Sequence, residues 1–328
     1  MISEQVATVS VLVITQNHAP FIDQCLDSVE RQTSPEFDVI VIDDCSTDGT
    51  TDRVRRWAER TKHDVRVIVN PRSRGMCENR NQFLRASRGV LVTSLSGDDY
   101  YEPDRLARQL AFFRTLPDSV AVVFGQSRVV SEDGREVGVW FGGWPRVPEG
   151  RVFGELIRNN FVAAATSMMR RSAIEAVGGY DERLFYEDYD MFLRLADRYE
   201  FRYLPGIVTN YRLSAAGASR APEYIARMSD ATARLLLKWH GGGRPYDRII
   251  ERRARFYAWR AFGADQAVGI GTLQTICEAR PSFANRASMA VAAVPGVHGL
   301  VSRTQQAVRH VKTSQRERSA QKGRQTFP

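Results

Sequence analysis

Two pairs of aspartates each follow a run of apolar residues. Asp43-Asp44 closes the segment FDVIVIDD, and Asp98-Asp99 closes GVLVTSLSGDD. Val, Ile and Leu succeed one another in both runs with little alternation, which is typical of strands buried on both faces of a sheet. Ligands of open α/β sheets bind outside the carboxyl ends of the strands, and magnesium prefers carboxylate and phosphate oxygens. We therefore expect a site for a nucleotide and a divalent metal where these strands end.

Short polar residues also follow the first apolar run, in the order Ile14-Thr15-Gln16-Asn17-His18. Thr15 and Asn17 either hold a ligand at the edge of the sheet or cap the following helix. After the second run, capping and a turn account for the segment STDGT at 46–50, but they leave Asp43 and Asp44 unexplained. One of these two could accept a hydrogen bond from a base N–H such as uracil N3–H, because an ionised carboxylate only accepts.

A basic loop, NPRSRG at 70–75, follows the third apolar run. Arg74 or Arg80 could contact a diphosphate or stack on a base, and the alternative is a solvated arginine loop. At the end of the fourth run, Gly97 permits close backbone approach. Asp99 is the candidate ligand of a divalent ion that bridges two phosphates, and Asp98 the candidate acceptor from ribose hydroxyls, with helix capping as the alternative.

A third acidic cluster lies in GGYDERLFYEDYD at 178–190. Glu187, Asp188 and Asp190 crowd a predicted helix start, where the helix dipole favours anions. One of these carboxylates could instead be a general base, since deprotonation of a hydroxyl requires a positioned acceptor. Upstream of this cluster, aromatic side chains could stack on the faces of sugar rings or belong to the core. The candidate aromatic residues are Trp140, Phe141 and Trp144.

The first 125 residues alternate between apolar runs and segments with helical spacing. This alternation implies right-handed βαβ units and a mainly parallel sheet flanked by helices. The predicted strands are Thr8–Ile14, Phe37–Ile42, Val65–Val69, Gly89–Leu95 and Val120–Phe124, and the predicted helices are Phe21–Arg31, Thr50–Arg60, Cys77–Ser87 and Asp104–Thr115.

The pattern changes after residue 125. Residues 126–148 predict strands with long loops, and the rest predicts helices at Ser172–Gly178, Tyr189–Tyr199, Tyr224–Trp239, Arg244–Ala261 and Ala264–Ala279. We expect a sheet domain over 1–215, a helical extension over 216–300 and a basic, flexible tail over 301–328. Within the sheet domain, residues 1–125 form the predicted nucleotide half and residues 126–215 the predicted acceptor half.

Composition fits a globular protein of 328 residues, with 43% hydrophobic and 26% charged residues. Four cysteines without CxxC spacing indicate neither a zinc site nor a disulfide framework. Met1–Thr8 lacks the apolar region of a signal peptide, and no segment reaches the roughly 18 apolar residues of a spanning helix, so we expect a cytoplasmic location. The apolar segment Ala287–Val301 is broken by Pro295-Gly296 and predicts a buried hairpin or an interfacial segment.

The net charge of +8 is concentrated in the last 28 residues. Residues 301–328 contain seven Arg or Lys and one Glu, so they contribute +6 of that charge. Such a tail either binds anionic lipid head groups, which would make the protein peripheral on the inner membrane face, or is a solvated end. We do not expect nucleic acid as a partner, and the sequence carries no indication of oligomeric state.

Taken together and in this order, the motifs resemble the family 2 glycosyltransferases of the GT-A fold. The resemblance spans about 10–214, and each piece is weaker alone than the combination. The matching pieces are VSVLVITQN, FDVIVIDDCSTDGT, NPRSRGMCENRNQ, GVLVTSLSGDDYYEPDRL, SMMRRSAIEAVGGYDERLFYEDYDMFLRLA and TNYRLS.

The resemblance implies an inverting transfer of a sugar from a nucleotide-diphosphate sugar, by expectation a UDP-sugar, to a hydroxyl of a glycan or lipid-linked acceptor, with Mn²⁺ or Mg²⁺. Asp44 matches the base-binding aspartate, and Thr15 and Asn17 match the first nucleotide-binding stretch. Asp98 matches the residue near the ribose and Asp99 the metal ligand of the DXD-type motif. The remaining matches are Asp188 with the catalytic base, beside Glu187 on the acceptor side, and Arg212 with a late Tyr-Arg motif.

Two departures from the family pattern stand out. Ser96-Gly97-Asp98-Asp99 lacks the first acid of a three-acid motif, and Ser214 stands where many members have His. A catalytically inactive nucleotide-sugar-binding scaffold is the alternative function, although Asp44, Asp99 and Asp188 are all present. A dehydrogenase or a pyrophosphorylase is disfavoured, because neither GxGxxG nor a Gly-rich phosphate loop follows the first strand.

Overall fold

The computed structural model describes residues 8–34, 37–140, 146–185, 188–213, 221–241 and 245–307. The chain divides into two compact units. The first unit comprises Met1–Phe153, Phe161–Arg183 and Glu187–Leu213, and the second comprises Gly154–Asn160, Leu184–Tyr186 and Ser214–Pro328.

The first unit is built on one nine-stranded sheet. Its first four strands are parallel and lie in the order β3-β2-β1-β4. Every residue of β1 and β2 is buried, which agrees with the unbroken apolar runs. These strands and the helices that connect them are β1 (Val9–Thr15), α1 (Ile22–Glu30), β2 (Phe37–Asp43), α2 (Thr50–Ala58), β3 (Val65–Val69), α3 (Met76–Ala86) and β4 (Leu91–Ser96).

The sheet continues beyond β4 in the order β8-β6-β9-β5, with β7 paired to β6. Strand β8 is antiparallel to both of its neighbours, whereas β6 and β9 are parallel. The elements of this half are β5 (Tyr100–Tyr101), α4 (Arg105–Arg114), β6 (Val120–Ser131), β7 (Glu136–Val139), β8 (Met168–Arg170), α6 (Arg171–Ala176), α7 (Asp188–Arg198) and β9 (Glu200–Leu213). Helix α5 (Phe153–Arg158) intervenes between β7 and β8 in the chain and belongs, from Gly154 onward, to the second unit.

The sequence analysis located the five early strands and their helices to within a few residues, but it did not predict β9. This strand contains Pro205 and Gly206, and Gly206 has a φ of 103°. Its pairing with β6 shifts register on both sides of Gln126. A proline and a left-handed glycine inside a run argue against a strand in sequence reasoning, yet both are tolerated at a bulge.

A fully buried arginine ties α4 to the sheet. Arg105 donates to Gln109 Oε1 at 3.0 Å, to Thr209 Oγ1 at 2.9 Å and to Thr93 Oγ1 at 2.6 Å. Its guanidinium lies 3.8 Å from the centroid of the Tyr101 ring. Burial lowers the pKa of Arg105, while Tyr101 and Asp99 act in the opposite direction. The hydrogen bonds compensate for removing this charge from water.

The second unit is helical in its described part. Its later helices are α8 (Pro222–Leu237), α9 (Asp247–Ala264), α10 (Gln266–Ala279) and α11 (Phe283–Ala292), and residues 297–307 are also helical. Gly269 of α10 lies so close to α9 that a Cβ there would come within 2.3 Å of Phe262 Cβ. The helices share a small apolar core of Ala233, Ala254, Ala258, Phe262, Leu273, Ile276 and Ala292.

The apolar segment Ala287–Val301 comprises the end of α11, a turn at 293–296 and the start of the following helix. Ala292 is buried, whereas Val291, Val294 and Leu300 are exposed. Among the described helices, none combines the length and hydropathy that a membrane span requires.

We predict that Arg105→Met lowers the free energy of unfolding by about 3 kcal/mol, because it leaves several buried polar groups without their donor. Chemical denaturation measures this difference. Arg85→Met is the matched control, since Arg85 is exposed on α3 and its loss should change stability by less than about 0.5 kcal/mol. Equal effects of the two substitutions would contradict a structural role for Arg105.

Candidate active site

The carboxyl ends of three parallel strands meet at one edge of the sheet. Thr15 at the end of β1 is paired with Asp43 at the end of β2, and Ile14 is paired with Ser96 at the end of β4. The strand order reverses at β1, because β2 lies on one side of it and β4 on the other. Such a reversal opens a crevice at the strand ends, which is where ligands of open α/β sheets bind. Thr15, Asp43-Asp44 and Gly97–Asp99 therefore share the edge that the sequence predicted.

The first aspartate pair consists of two residues with different surroundings. Asp43 is fully buried, and it accepts hydrogen bonds from Ser46 N at 2.9 Å and from Thr51 Oγ1. Both partners belong to the turn before α2 or to its first residues. Asp43 thus holds the β2–α2 connection in place.

Asp44 organises the basic loop that follows β3. Its carboxylate accepts from Asn70 Nδ2 at 2.9 Å, Ser73 Oγ at 2.8 Å, Arg74 N at 2.9 Å and Gly75 N at 3.2 Å. A carboxylate offers about four lone-pair positions, so the loop already occupies its accepting capacity. A ligand N–H would have to share or displace one of these protein donors.

These hydrogen bonds set the charge state of Asp44. Burial acts to raise its pKa, but the donors from the loop and from α3 outweigh burial, and the pKa lies below its ordinary value. The donors that lower the pKa are Arg74 N and the side chains of Asn70, Asn79 and Ser73.

The second aspartate pair closes β4. Asp99 is 2% exposed and accepts from Arg212 N at 2.8 Å, while Asp98 is half-buried. Burial, and then the charge of Asp98, raise the pKa of Asp99 well above its ordinary value, although contacts and charges from Arg212 and Arg105 act against this. Asp98 and the buried Asp99 supply carboxylate oxygens, which are hard donors, and a divalent cation would offset the cost of ionising Asp99. The residues present therefore fit Mg²⁺ or Mn²⁺.

Gly97 makes a close approach between β4 and the end of β1. A Cβ at this position would lie 2.6 Å from Thr15 Oγ1 and 2.8 Å from His18 Nδ1. The side chains of Thr15 and His18 contact each other at 3.2 Å. His18 thus belongs to the crevice, although its type and place after β1 had not singled it out in the sequence.

Asn17 has a positive φ of 56° and connects two loops. Its side-chain oxygen accepts from Thr47 N at 2.8 Å, and its backbone N–H donates to Ser46 Oγ at 2.9 Å. In this structure Asn17 stabilises the loops after β1 and β2. This is a local structural role, like the helix capping that the sequence offered as an alternative to ligand binding.

Arg212 is a buried connector at the end of β9. Its guanidinium donates to Asp98 O at 2.9 Å, to Glu132 O at 2.6 Å and to Gln24 Oε1. It also lies 4.7 Å from the centroid of the Phe21 ring. Arg212 is only 4% exposed, so it fixes the loop that carries the second aspartate pair.

The two arginines of the basic segment lie in different places. Arg74 pairs with Glu78 on α3. Arg80 is buried, donates to Ser94 Oγ at 2.9 Å and has its guanidinium 5.6 Å from the Tyr180 ring centroid. The sequence made Arg74 or Arg80 a candidate to contact a diphosphate or to stack on a base. In the structure Arg80 lies against β4 and the loop before α7.

Asp188 is the first residue of α7 and lines a small cavity together with Arg80 and Tyr180. The cavity lies beside β4, because Arg80 contacts Ser94. Ser94 precedes Asp98 by four residues, which span at most about 14 Å of extended chain. The other residues that line the cavity are Ala164, Ser167, Met169, Met191 and Phe192.

The neighbouring acids of the third cluster have other surroundings. Asp190 is buried and pairs with Arg194 at 2.7 Å, and Arg194 also donates to Val177 O and Gly179 O. Asp190 thus anchors α7 to the preceding turn. Glu187, like Trp144 and Phe141, lies outside the described residues.

Asn81 is a site residue that the sequence analysis missed. Its side chain donates to Tyr180 O at 2.8 Å and accepts from Tyr180 N at 2.8 Å. These two bonds join α3 to the loop that leads to Asp188. They link residues 99 positions apart, and such long-range pairing leaves no signal in local periodicity.

Trp140 is partly exposed near the end of β9. Its indole donates to Phe161 O at 3.1 Å, and its ring centroid lies 6.5 Å from that of Tyr211. Trp140 is 39% exposed and Tyr211 36%, so each presents part of its ring to solvent. The pair is suited to contact a flat, partly apolar ligand surface.

A family model described as "Glycosyl transferase family 2" matches residues 10–178. The chain belongs to glycosyltransferase family 2. This finding confirms the family read from the motifs, and solved structures with the GT-A architecture confirm the expected fold.

Two curated bacterial relatives illustrate the match. The chain is 28% identical over 163 residues to the putative teichuronic acid biosynthesis glycosyltransferase TuaG of Bacillus subtilis, which covers 50% of this chain and 62% of that protein. It is 28% identical over 208 residues to the hyaluronan synthase of Pasteurella multocida, which covers 63% of this chain and 20% of that protein. The chain therefore spans less than two thirds of the length of either relative.

Two solved structures share the fold over most of this chain. TarS residues 1–349 of S. aureus in complex with UDP-GlcNAc gives a TM-score of 0.63 at 19% identity, and covers 92% of each chain. The mannosyltransferase PcManGT from Pyrobaculum calidifontis in complex with GDP-Man and Mn²⁺ gives 0.58 at 20% identity, and covers 94% of this chain and 86% of that one.

We predict that Asp44→Asn destabilises the protein by about 2 kcal/mol at pH 7, because it weakens charge-assisted hydrogen bonds to the 70–75 loop. The pKa of Asp44 is lowered by folding, so its stabilising effect is present above the unfolded pKa of about 4 and is lost as the pH falls through the folded pKa. Denaturant unfolding between pH 3 and pH 8 measures the free energy of unfolding of both proteins. The difference between wild type and Asp44→Asn should become smaller as the pH falls.

Asp38 offers a control of opposite sign. Burial raises its pKa, although Ser10 Oγ donates to it at 2.6 Å. A group whose pKa is raised by folding stabilises the protein below its unfolded pKa of about 4, and this effect is lost as the pH rises. The contribution of the Asp38 carboxyl to the free energy of unfolding, measured against Asp38→Asn, should therefore fall as the pH rises. A pH-independent cost of Asp44→Asn would show that the charge of Asp44 does not hold the loop.

Proposed function

We propose that this chain is a metal-dependent, inverting glycosyltransferase that moves a sugar from a nucleotide-diphosphate sugar, preferably a UDP-sugar, to an acceptor hydroxyl. The observation that carries the proposal is that Asp98-Asp99 follow strand β4, while Asp188 lines a cavity with Arg80, whose guanidinium donates to Ser94 of the same strand. Asp98-Asp99 lie at the crevice expected for a nucleotide, and Asp188 lines a small cavity. The acceptor is a glycan or a lipid-linked saccharide of cell-surface polysaccharide synthesis, as the names of TuaG and the hyaluronan synthase suggest.

The donor site is assigned to the crevice at the ends of β1, β2 and β4. Asp98 and Asp99 would hold Mn²⁺ or Mg²⁺, and the bound ion would neutralise charge on the departing nucleotide diphosphate. Support for a UDP-sugar comes from the UDP-GlcNAc complex of TarS, and support for manganese from the GDP-Man complex of PcManGT. Thr15 and the loop held by Asp44 form the walls of the crevice.

The base-binding role of Asp44 is proposed in a modified form. Four protein donors already contact its carboxylate. We infer that Asp44 presents the 70–75 loop to the base and shares one acceptor position with a base N–H. Arg74 belongs to that loop and is the candidate contact for the base or diphosphate.

The proton transfer is assigned to Asp188. Its carboxylate takes the proton from the acceptor hydroxyl, and the oxygen attacks the anomeric carbon on the face opposite the leaving diphosphate. The bond to the diphosphate breaks in the same displacement, so the configuration inverts. Arg80 also lines the cavity of Asp188. We assign Arg212 to positioning Asp98 and Asp99, because it donates to the backbone of the first and the side chain of the second.

The acceptor side is assigned to the partly exposed pair Trp140 and Tyr211, whose rings could stack on a saccharide. Glu187 and Trp144 remain candidates on this side of the site. The basic tail, of which residues 308–328 lie outside the described part, is a candidate contact with anionic membrane, with a cytoplasmic location of the enzyme. A scaffold without turnover is disfavoured, since Asp44, Asp99 and Asp188 are all retained at the site.

We predict that Asp188→Asn lowers kcat by about 10²–10⁴-fold, because the variant cannot accept the proton of the acceptor hydroxyl. Donor affinity should stay within about twofold, since the substitution is isosteric. Transfer is measured with a UDP-sugar and an acceptor panel, and donor binding by calorimetry. Asp118→Asn, at a fully exposed carboxylate, is the control and should leave both quantities unchanged. Equal turnover by wild type and Asp188→Asn would remove Asp188 from this role.

We predict that Asp99→Ala weakens donor binding at least about 10-fold in the presence of Mn²⁺ and has little effect when EDTA is present. The reason is that the metal, held by Asp98 and Asp99, links the protein to the diphosphate. Calorimetric titration of UDP with and without Mn²⁺ measures both affinities. Asp104→Ala, at an exposed carboxylate beside α4, is the control. If the metal dependence of binding were the same in Asp99→Ala as in wild type, the ligand assignment would be wrong.

A further inference from the structure

Helix α9 of the second unit carries an exposed row of arginines. Arg248, Arg252, Phe256 and Arg260 follow one another at intervals of four residues, which places them along one face of the helix. All four are exposed, and Phe256 is 61% exposed. We call these four residues the α9 arginine face.

The acids of this region do not neutralise the α9 arginine face. Glu251 lies near Arg255, Arg280 and His240, at 3.7, 3.4 and 3.3 Å. Asp247 accepts from Gly241 N at 3.0 Å. Asp265 caps α10 by accepting from Val268 N. In the part of the chain that the structure describes, Arg248, Arg252 and Arg260 have no ion-pair partner.

Large apolar side chains accompany the arginines. A groove beside the α9 arginine face is lined by Arg248, Arg252, Arg255 and Phe283, together with Glu251, the acid that lies near Arg255. Phe283 begins α11 and is 88% exposed. Arg255 donates to Asn285 Oδ1 at 2.7 Å, which fixes the start of α11 against α9. Exposed phenylalanines set among unpaired arginines indicate a surface that is covered in use, because solvent-exposed aromatic rings gain nothing from folding.

We propose that the α9 arginine face and Phe283 dock on a bilayer that contains anionic phospholipids. Arginines would contact the head-group phosphates, and Phe256 and Phe283 would enter the interface between head groups and acyl chains. The residues of this surface are not those of the basic tail at 301–328. The proposal does not depend on the transfer reaction.

Charge complementarity favours an anionic membrane over the other molecules that could cover this surface. The segment 308–328 of this chain has six Arg or Lys and one Glu, so it would be repelled by the α9 arginine face. A soluble polyanion would use the arginines but would leave both phenylalanines exposed. An anionic membrane accounts for the charged and the apolar residues together.

The test is co-sedimentation of the full chain with vesicles of phosphatidylcholine and of phosphatidylcholine with phosphatidylglycerol. We expect binding to the anionic vesicles only. The triple variant Arg248→Gln/Arg252→Gln/Arg260→Gln should lower the partition coefficient about 100-fold, because each arginine near an anionic surface contributes a factor of about five. Phe256→Ser/Phe283→Ser should also weaken binding, while the remaining binding keeps its dependence on salt.

Two further triple variants remove the same charge elsewhere. Arg55→Gln/Arg56→Gln/Arg85→Gln changes exposed arginines of the first unit, and Arg316→Gln/Arg318→Gln/Lys322→Gln changes the tail. Unchanged binding in the α9 variant, or an equal loss in the first-unit control, would overturn the proposal. Loss only in the tail variant would assign the contact to the tail instead. Tighter binding to a soluble polyanion such as heparin than to anionic vesicles, with no effect of the phenylalanine substitutions, would identify a polyanion site.

Discussion

The hydrogen bond from Arg212 N to Asp99 Oδ1 joins the last strand of the sheet to the end of β4. Around it, the Arg212 side chain donates to Asp98 O after β4, to Glu132 O after β6 and to Gln24 on α1. A strand from the end of the first unit therefore determines where the second aspartate pair sits. The crevice at the ends of β1 and β4 depends on this contact, because Gly97 leaves no room for the loop to shift toward Thr15.

The electrostatics of the two aspartate pairs differ for a physical reason. Asp44 is surrounded by donors, so its ionised form is satisfied within the protein and its pKa falls. Asp99 is more deeply buried and next to Asp98, so Arg212 and Arg105 compensate its ionised form only in part, and its pKa rises. A carboxylate with internal donors is suited to hold a loop. A buried carboxylate whose charge is only partly compensated is suited to receive a cation, which is the role proposed for Asp99.

Sequence reasoning recovered the parallel half of the sheet because unbroken apolar runs, such as FDVIVIDD, encode burial on both faces locally. The edge at which Asp44 and Asp99 lie followed from that topology alone. The surroundings of individual side chains did not follow, since they depend on contacts across the fold. Arg80 follows a basic loop in sequence, yet its helix turns it toward Ser94 and Tyr180. Strand β9 was missed because its bulge at Gly206 obscures the pattern of a strand.

Helix α3 links the two chemical regions of the first unit. The loop before it is held by Asp44 through Arg74 N and Gly75 N, so the Asp44 carboxylate sets where α3 begins. One turn later, Arg80 lines the cavity of Asp188, and Asn81 binds both backbone groups of Tyr180. The 11 residues of α3 span about 16 Å, which is short enough to act as one rigid body. The 70–75 loop and the cavity lined by Asp188 are therefore joined through one short helix. Under the proposed function, a nucleotide that displaces this loop would also move the residues that surround the proposed catalytic base.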